Sequence, residues 1–472
     1  MFGSFCCLCE TAKSEKATPP GPPAKSRRSS QKIPNADSKS CAANGEKTPV
    51  SSAADPAAIQ PEVVVANKEP TATPKEAGQL PQEKEQHVVS VDVDEVDEPV
   101  QPRTRRRSHF VPVGAAGISA EDISVAAVMP GMGELQSLVE DPRKLYEGLA
   151  HDACLLGFTK AGGIDAIAEA EFTEKKVEQS GSTSEVAARS RFLKNGVAVS
   201  CAKGRKPGTP NQDNFFVAEC GHFLISCVAD GHGIAGHWAS HWTCRFVLRL
   251  LMEQIAVSKA LPSEAVMTQI FDTVHQEVVC TATSKGYEIS LSGTTLSVAV
   301  VDREQKKLLL AWAGDSRCVL GRPPRNKGKI GCVGASEDHK PNDPKEKQRV
   351  QASGGEVLLL PGDVPYRIFA KNKEVPGLAM SRSIGDLSGH AVGVSHTPGI
   401  KLLDFQKDDL LLCCSDGVWE FLGDADALNI VQQVGRKNAP EAVVKLVSES
   451  RALWLAEADD CCDDITVIAV WL

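Results

Sequence analysis

Phe223–Gly233 reads Phe-Leu-Ile-Ser-Cys-Val-Ala-Asp-Gly-His-Gly, and the reading of the whole chain starts there. The apolar run Phe223–Ala229 predicts a buried strand, and the glycines mark its exit. A carboxylate, Asp230, and an imidazole, His232, therefore sit side by side at a strand end. The glycines around them let backbone approach a ligand closely. Leu410–Gly417, Leu-Leu-Leu-Cys-Cys-Ser-Asp-Gly, repeats the device and delivers Asp416. Two strand-end aspartates in one domain point to a shared, oxygen-rich metal site.

Outward from these two stretches, strands are expected at Val197–Ala202, Thr295–Val301, Lys307–Ala311, Arg317–Leu320 and Ile465–Trp471, with Asp302–Gln305 as a hairpin connection. Helices are expected between them. In Ala235–Ile255, Trp238, Trp242, Phe246 and Leu250 recur every four residues on one face. Ser263 is a plausible N-cap for a helix to Thr283, and Asn342 for one ending near Gly354, with Pro344 in its first turn. Asp424–Val434 and Pro440–Ala458 complete the set. The strands come as antiparallel-looking neighbours without strict βαβ alternation. This predicts an α+β fold, a central antiparallel β-sandwich flanked on both sides by helices.

The remaining composition sets the surroundings. With 472 residues, 42% hydrophobic content and a formal net charge of −9, the chain has material for a large core and no charge bias toward nucleic acid. No apolar run approaches the ~18 residues of a membrane span. Many of the 16 cysteines lie inside apolar runs, where a reduced thiol packs as a small hydrophobe. A reducing, cytoplasmic setting is expected. Thirteen of 28 prolines fall in the first 110 residues, and no aromatic ring occurs between Phe5 and Phe110, so 1–109 reads as a disordered tail. Cys6, Cys7 and Cys9 at its start are candidates for S-acylation and membrane association. Arginine clusters Arg27-Arg28 and Arg103–Arg107, each followed by serine, suit a kinase, although a solvated charged tail is the simpler reading. Residues 110–195 read as a helical lead-in, built on Glu134–Leu149 and Ile164–Val177, and 196–472 as the catalytic domain. The chain is taken as a monomer.

More carboxylates stand where a turn meets a strand: Asp213 before Phe215-Phe216-Val217, Asp315 between two strands, and Asp463 and Asp464 before the last one. A single turn aspartate is ordinary, because it bonds its own backbone. A set of such sites in one domain is not. Converging carboxylates raise one another's pKa unless cations neutralise them, and oxygen-only ligands select Mg2+ or Mn2+. Zinc is disfavoured because no Cys/His pair has zinc spacing near these positions. Two ions about 3.5–4 Å apart ionise a bridging water that attacks phosphorus, and His232 is placed to protonate the leaving oxygen.

At this point the chain resembles the protein phosphatase 2C family of metal-dependent serine/threonine phosphatases. The matching stretches follow in family order: Asn211–Asp213, Asp230–Gly233, Ser292–Thr295, Gly314–Arg317, Asp338–Pro341, Gly354-Gly355, Ser381–Asp386, Ser415–Trp419 and Asp463–Thr466. The resemblance implies metal ligation by Asp213, Asp230, Asp416 and Asp463 with the Gly231 carbonyl. It implies a further position at Asp315 near Glu420, and general-acid work for His232. Arg205, with Lys206 beside it, is the candidate phosphate-binding cation, although neither is in clear register with the family. Gln212, Glu420 and Asp464 replace residues common in members. The implied substrates are phosphoproteins in signalling. A catalytically dead scaffold and a hydrolase of small phosphoesters are the competing readings. Retention of every core aspartate argues against the first, and the long modifiable tail against the second.

Overall fold

The computed structural model describes residues 154–159, 170–175, 177–178, 185–326, 328–458 and 461–472. The chain opens with β1 (Cys154–Thr159), β2 (Val177–Glu178), α1 (Glu185–Lys194), β3 (Val197–Ala202), β4 (Asp213–Cys220) and β5 (Phe223–His232). Two long helices follow, α2 (Gly236–Ser258) and α3 (Glu264–Lys285), then β6 (Gly293–Thr294), β7 (Leu296–Asp302), β8 (Lys307–Ala313), β9 (Arg317–Arg322) and β10 (Gly331–Ala335). Next come α4 (Pro344–Ala352), β11 (Gly355–Leu358), β12 (Arg367–Ala370), β13 (Pro376–Leu378), β14 (Ile384–Gly385), α5 (Leu387–His390) and β15 (Gly399–Asp404). The chain closes with β16 (Leu410–Cys414), α6 (Asp416–Trp419), α7 (Asp424–Val434), α8 (Ala439–Glu457) and β17 (Ile465–Trp471).

All strand pairs are antiparallel. One sheet runs β15-β8-β7-β5-β4-β1-β2, with β6 on β5 and β14 on β6, and a second runs β10-β9-β16-β17-β3. A separate three-stranded sheet, β11-β12-β13, follows α4. Period-two alternation divides the apolar side chains into three layers. Phe216, Ala218, Ile225 and Cys227 face α2 and α3, where they meet Trp242, Phe246, Leu250 and Phe271. Phe215, Val217, Leu224 and Val228 face the other way and meet Leu411, Cys413, Ile468 and Val470 of the second sheet. Val467, Ala469 and Leu412 then face Leu428, Leu446 and Trp454 of α7 and α8. Helix, sheet, sheet, helix is thus the order of the layers, as expected.

Local chemistry closes the elements. Ser263 caps α3 by accepting the Val266 amide, and Asp302 Oδ1 accepts the Glu304 and Gln305 amides in the hairpin. The cap of α4 is Asp343 and not Asn342: its side chain accepts from the Lys345 and Glu346 amides, with Pro344 at the first helical position. Cysteines in the described residues are free thiols, and no helix there is long and apolar enough to cross a membrane.

The helical lead-in requires correction. Among its described residues only α1 is helical. β1 pairs with β4 and alternates like its neighbours, Leu155 toward the helices and Cys154 and Leu156 into the space between the sheets. Ala170–Lys175 is not helical either. Tertiary bonds hold it extended: Glu174 accepts the Ser200 hydroxyl and the Cys201 amide, and Lys175 donates to the Asn211 carbonyl at 2.9 Å. The sandwich therefore recruits chain from before residue 196. The expected tail at 1–109, with Cys6, Cys7 and Cys9, and the segment Glu134–Leu149 lie outside the described residues.

Candidate metal centre

The register of β4 against β5 sets Asp213 opposite Asp230. Antiparallel pairing thus brings two carboxylates from opposite ends of their strands to one edge of the sandwich. Asp213 is fully buried, and its Oδ2 accepts hydrogen bonds from Ser415 Oγ and Thr466 Oγ1, each at 2.7 Å. Both donors belong to the second sheet's side of the site. Asp416 opens α6 directly after β16 and shares a hydrogen bond with Asp230. Asp463 precedes β17 and meets the Lys206 ammonium. Asp315, between β8 and β9, accepts from Lys340 Nζ at 2.6 Å.

The electrostatics of this edge are unfavourable for bare carboxylates. Burial and the neighbouring Asp464 push Asp213 up to about 6. Burial, followed by Asp213, Asp416 and Asp463, pushes Asp230 well above the usual carboxylate range. Burial, followed by Asp463 and Asp315, does the same to Asp416. Oδ1 atoms of Asp213, Asp315 and Asp416 are buried without a hydrogen-bond partner. Such groups take a proton or a cation. At Gly231 a Cβ would lie 2.2 Å from the Gly236 carbonyl oxygen and 2.8 Å from that of Gln212, so only glycine fits this turn of backbone.

His232 ends β5, and its Nε2 lies 2.7 Å from Asp386 Oδ2. Burial opposes its charge, but the Asp386 carboxylate prevails and raises its pKa above the ordinary value. Asp386 is itself buried, accepts the Ser383 hydroxyl at 2.5 Å and sits at φ +47° in the left-handed region. A Cβ at Gly293 would strike its Oδ2 at 2.2 Å, so Gly293 leaves the room the carboxylate occupies.

The structure places Arg205 elsewhere than expected. Its Nε pairs with Glu171 at 2.9 Å and its guanidinium lies over the Phe172 ring. Lys206 is the cation directed at the carboxylates: burial works against its charge, yet Asp463, Asp464 and Asp230 hold its pKa well above the ordinary value. Lys340 likewise carries a raised pKa, with burial outweighed by Asp315. Glu420 follows α6, and burial raises its carboxyl while Lys340 opposes. Gln212 donates to the Gly233 carbonyl at 2.7 Å and so ties the loop after β5. Asp464 accepts the Gly204 amide on Oδ1 at 2.7 Å and the Gln212 amide on Oδ2 at 2.8 Å. Both oxygens must accept, which an aspartate does and an asparagine cannot.

Sequence reasoning missed the roles of Asp386, Lys340 and Lys175. The first two lie inside the stretches Ser381–Asp386 and Asp338–Pro341, which were noticed as motifs but not assigned. Lys175, buried and bonded to the carbonyls of Asn211 and Asp213, left no local signal.

Comparison with known proteins agrees with this geometry. The Protein phosphatase 2C family profile matches residues 218–453, half of the chain. The chain is 30% identical over 287 residues to "Probable protein phosphatase 2C 73" of Arabidopsis thaliana, covering 56% of this chain and 75% of the relative. It is 31% identical over 257 residues to "Probable protein phosphatase 2C 72" of the same plant, covering 52% and 75%. In fold it resembles the crystal structure of serine-threonine phosphatase 2C from Toxoplasma gondii, with TM-score 0.50 and 20% identity over 58% of this chain and 94% of that one. Family profile, relatives and sandwich architecture agree, and the chain belongs to the protein phosphatase 2C family of protein serine/threonine phosphatases.

Proposed function

We propose that the chain hydrolyses phosphoserine and phosphothreonine in intracellular signalling proteins, using two divalent cations, Mg2+ or Mn2+. The observation that carries this reading is the convergence of Asp213, Asp230, Asp416 and Asp463 beside the His232–Asp386 pair, with buried carboxylate oxygens left unpartnered. The donor set fits such ions: it is all oxygen, raised in pKa, and backed by a Gly231 backbone that admits no side chain. Asp213, Asp230, Asp416 and Asp463 would hold them, with Gly231 contributing backbone. When bound, the ions neutralise these carboxylates and acidify a water for attack on phosphorus.

The chain's own residues do the rest. Lys206 holds phosphoryl oxygens at the Asp463 side, in the role first given to Arg205. His232 donates a proton to the serine or threonine oxygen as its bond to phosphorus breaks, and Asp386 fixes the ring for that transfer. Water supplies the oxygen that ends on phosphate, so no side-chain nucleophile is consumed. Asp315 with Glu420 forms the further position, where Lys340 already supplies one positive charge. Cytoplasmic location, with membrane association through acylated Cys6, Cys7 and Cys9, belongs to the same reading.

Phosphate release from a phosphothreonine peptide by the full-length protein tests it, with manganese titrated and EDTA then added in excess. Metal-dependent turnover that EDTA abolishes, and that a sugar phosphate does not elicit, is expected. A folded protein without turnover at any manganese level would overturn the reading in favour of a scaffold.

A further inference from the structure

Three histidines that the carboxylate chemistry does not use meet on the other side of the segment carrying Asp386. His275 lies on α3, His390 closes α5, and His396 follows in the loop to β15. Their ring centroids are 4.3 Å apart for His275 and His390, 4.3 Å for His275 and His396, and 5.3 Å for His390 and His396. One ligand-capable nitrogen from each lies within 4.8 Å of the others.

Hydrogen bonds decide which nitrogens are available. His390 Nε2 donates to the Ser383 carbonyl at 3.2 Å, and His396 Nε2 donates to Asp272 Oδ1 at 3.1 Å. A carbonyl and a carboxylate only accept, so both rings carry their proton on Nε2 and present a lone pair at Nδ1. His396 Nδ1 is buried with no partner. His275 Nδ1 accepts the Gly385 amide across a long 3.3 Å. Burial, then the neighbouring histidines, hold His275 down to about 3, and burial, then His396, holds His390 down to about 4, so both rings are neutral near pH 7. Neutral imidazoles are the form that binds metals.

We propose that His275, His390 and His396 form a second metal site, for a zinc-class transition ion, chemically distinct from the carboxylate centre. Imidazole nitrogen suits zinc and its neighbours, whereas the aspartates suit hard cations. Zinc–nitrogen bonds of about 2.0–2.1 Å place the nitrogens of a tetrahedral site about 3.4 Å apart, so the rings close in by roughly an ångström on loading. His275 exchanges its long contact with Gly385 for the ion. Asp272 behind His396 reproduces the carboxylate–histidine arrangement that orients metal-bound imidazoles. His390 and His396 are partly exposed, which gives the ion a path and leaves a fourth position for water. An ion here clamps α3 to Ser383–His396, the segment from which Asp386 reaches His232.

The test uses the full-length protein with Mg2+ saturating the carboxylate centre and Co2+ as the probe. One equivalent of Co2+ with intense tetrahedral visible bands is expected, displaced by Zn2+, in wild type and equally in Asp230→Asn. The bands should vanish in the His390→Gln, His396→Gln double variant, with its fold checked by circular dichroism. Asp272→Asn, at a surface position, should weaken binding roughly 10–100-fold without touching a ligand. Zn2+ should also raise the wild-type melting temperature in the presence of Mg2+, and that rise should be absent in the double variant. Absence of tetrahedral bands in wild type, or bands of equal strength in the folded double variant, would overturn the proposal. Because Asp230→Asn keeps this site, its failure and failure of the phosphatase reading are separate results.

Discussion

Asp230-Gly231 and Asp416-Gly417 are the same dipeptide behind the same kind of apolar strand, and the fold uses them differently. β5 continues through Gly231 and His232 because β6 offers them partners, Thr294 and Gly293. After β16 no such partner is at hand, and the chain turns into α6 at Asp416. The first arm of the site, Asp213 and Asp230, is aligned by strand register and steadied by neutral donors, Ser415 and Thr466. The second arm, Asp463 and Asp315, is steadied by ammonium groups, Lys206 and Lys340. Hydroxyls position a carboxylate without cancelling its charge, whereas lysines cancel part of it. The first arm therefore depends on divalent cations more than the second.

Asp230→Asn should sharpen this contrast most. Loss of several kcal/mol of charge stabilisation corresponds to a fall in phosphatase turnover of roughly 10³-fold, while Asp315→Asn should cost at least tenfold less. Equal losses in the two variants, measured by phosphate release at saturating manganese, would break the comparison. His232→Ala should lower kcat by about 10²–10³-fold with the manganese requirement nearly unchanged. A large rise in that requirement would make His232 an organiser of the metals and not the acid.

Smaller effects separate the neighbouring cations. Lys206→Gln should raise KM for a phosphopeptide and lower kcat/KM about tenfold or more, as expected for a lost charge-assisted contact. Arg205→Gln should leave kcat/KM within about twofold, since its partner Glu171 is half exposed and such pairs contribute about 0–1 kcal/mol. The reverse order would restore Arg205 to the site.

The smallest effect concerns the support of the second arm. His339, buried, accepts the Gly314 amide on Nδ1 beside Asp315. Burial, then Arg382, holds it down to about 3. Its folded pKa lies below the unfolded value near 6.5, so the stability it contributes is present above pH 6.5 and is lost as pH falls toward 3. His339→Gln should flatten the fall in melting temperature between pH 6.5 and 4, by an amount on the order of 1–3 kcal/mol at pH 4. An unchanged slope would remove His339 from that role.

Much of this was legible in the chain. β3 and β17 match their expected spans, and α7 does so as well, because their apolar periods are unbroken. β5 was expected to end at Ala229, because the pairing that extends it comes from residues some sixty positions away. β1 was hidden among helix-friendly residues, since its six residues alternate only with respect to a sheet already formed by β4. The exchange of Arg205 for Lys206 was not readable at all: two adjacent cations differ only in which way the backbone turns them, and that is set by the Arg205 amide bonding the Cys462 carbonyl.

Sequence by itself determined the layer order, the family and the aspartates, because period-two burial and Asp-Gly strand exits are local properties of neighbouring residues. Tertiary structure alone decided which cation meets which carboxylate, that Asp386 holds His232, that Lys175 braces Asp213, and that three histidines spread over 121 positions converge. Those are contacts between distant segments, and their partners are chosen by strand register and sheet packing, quantities that exist only once the sandwich has closed.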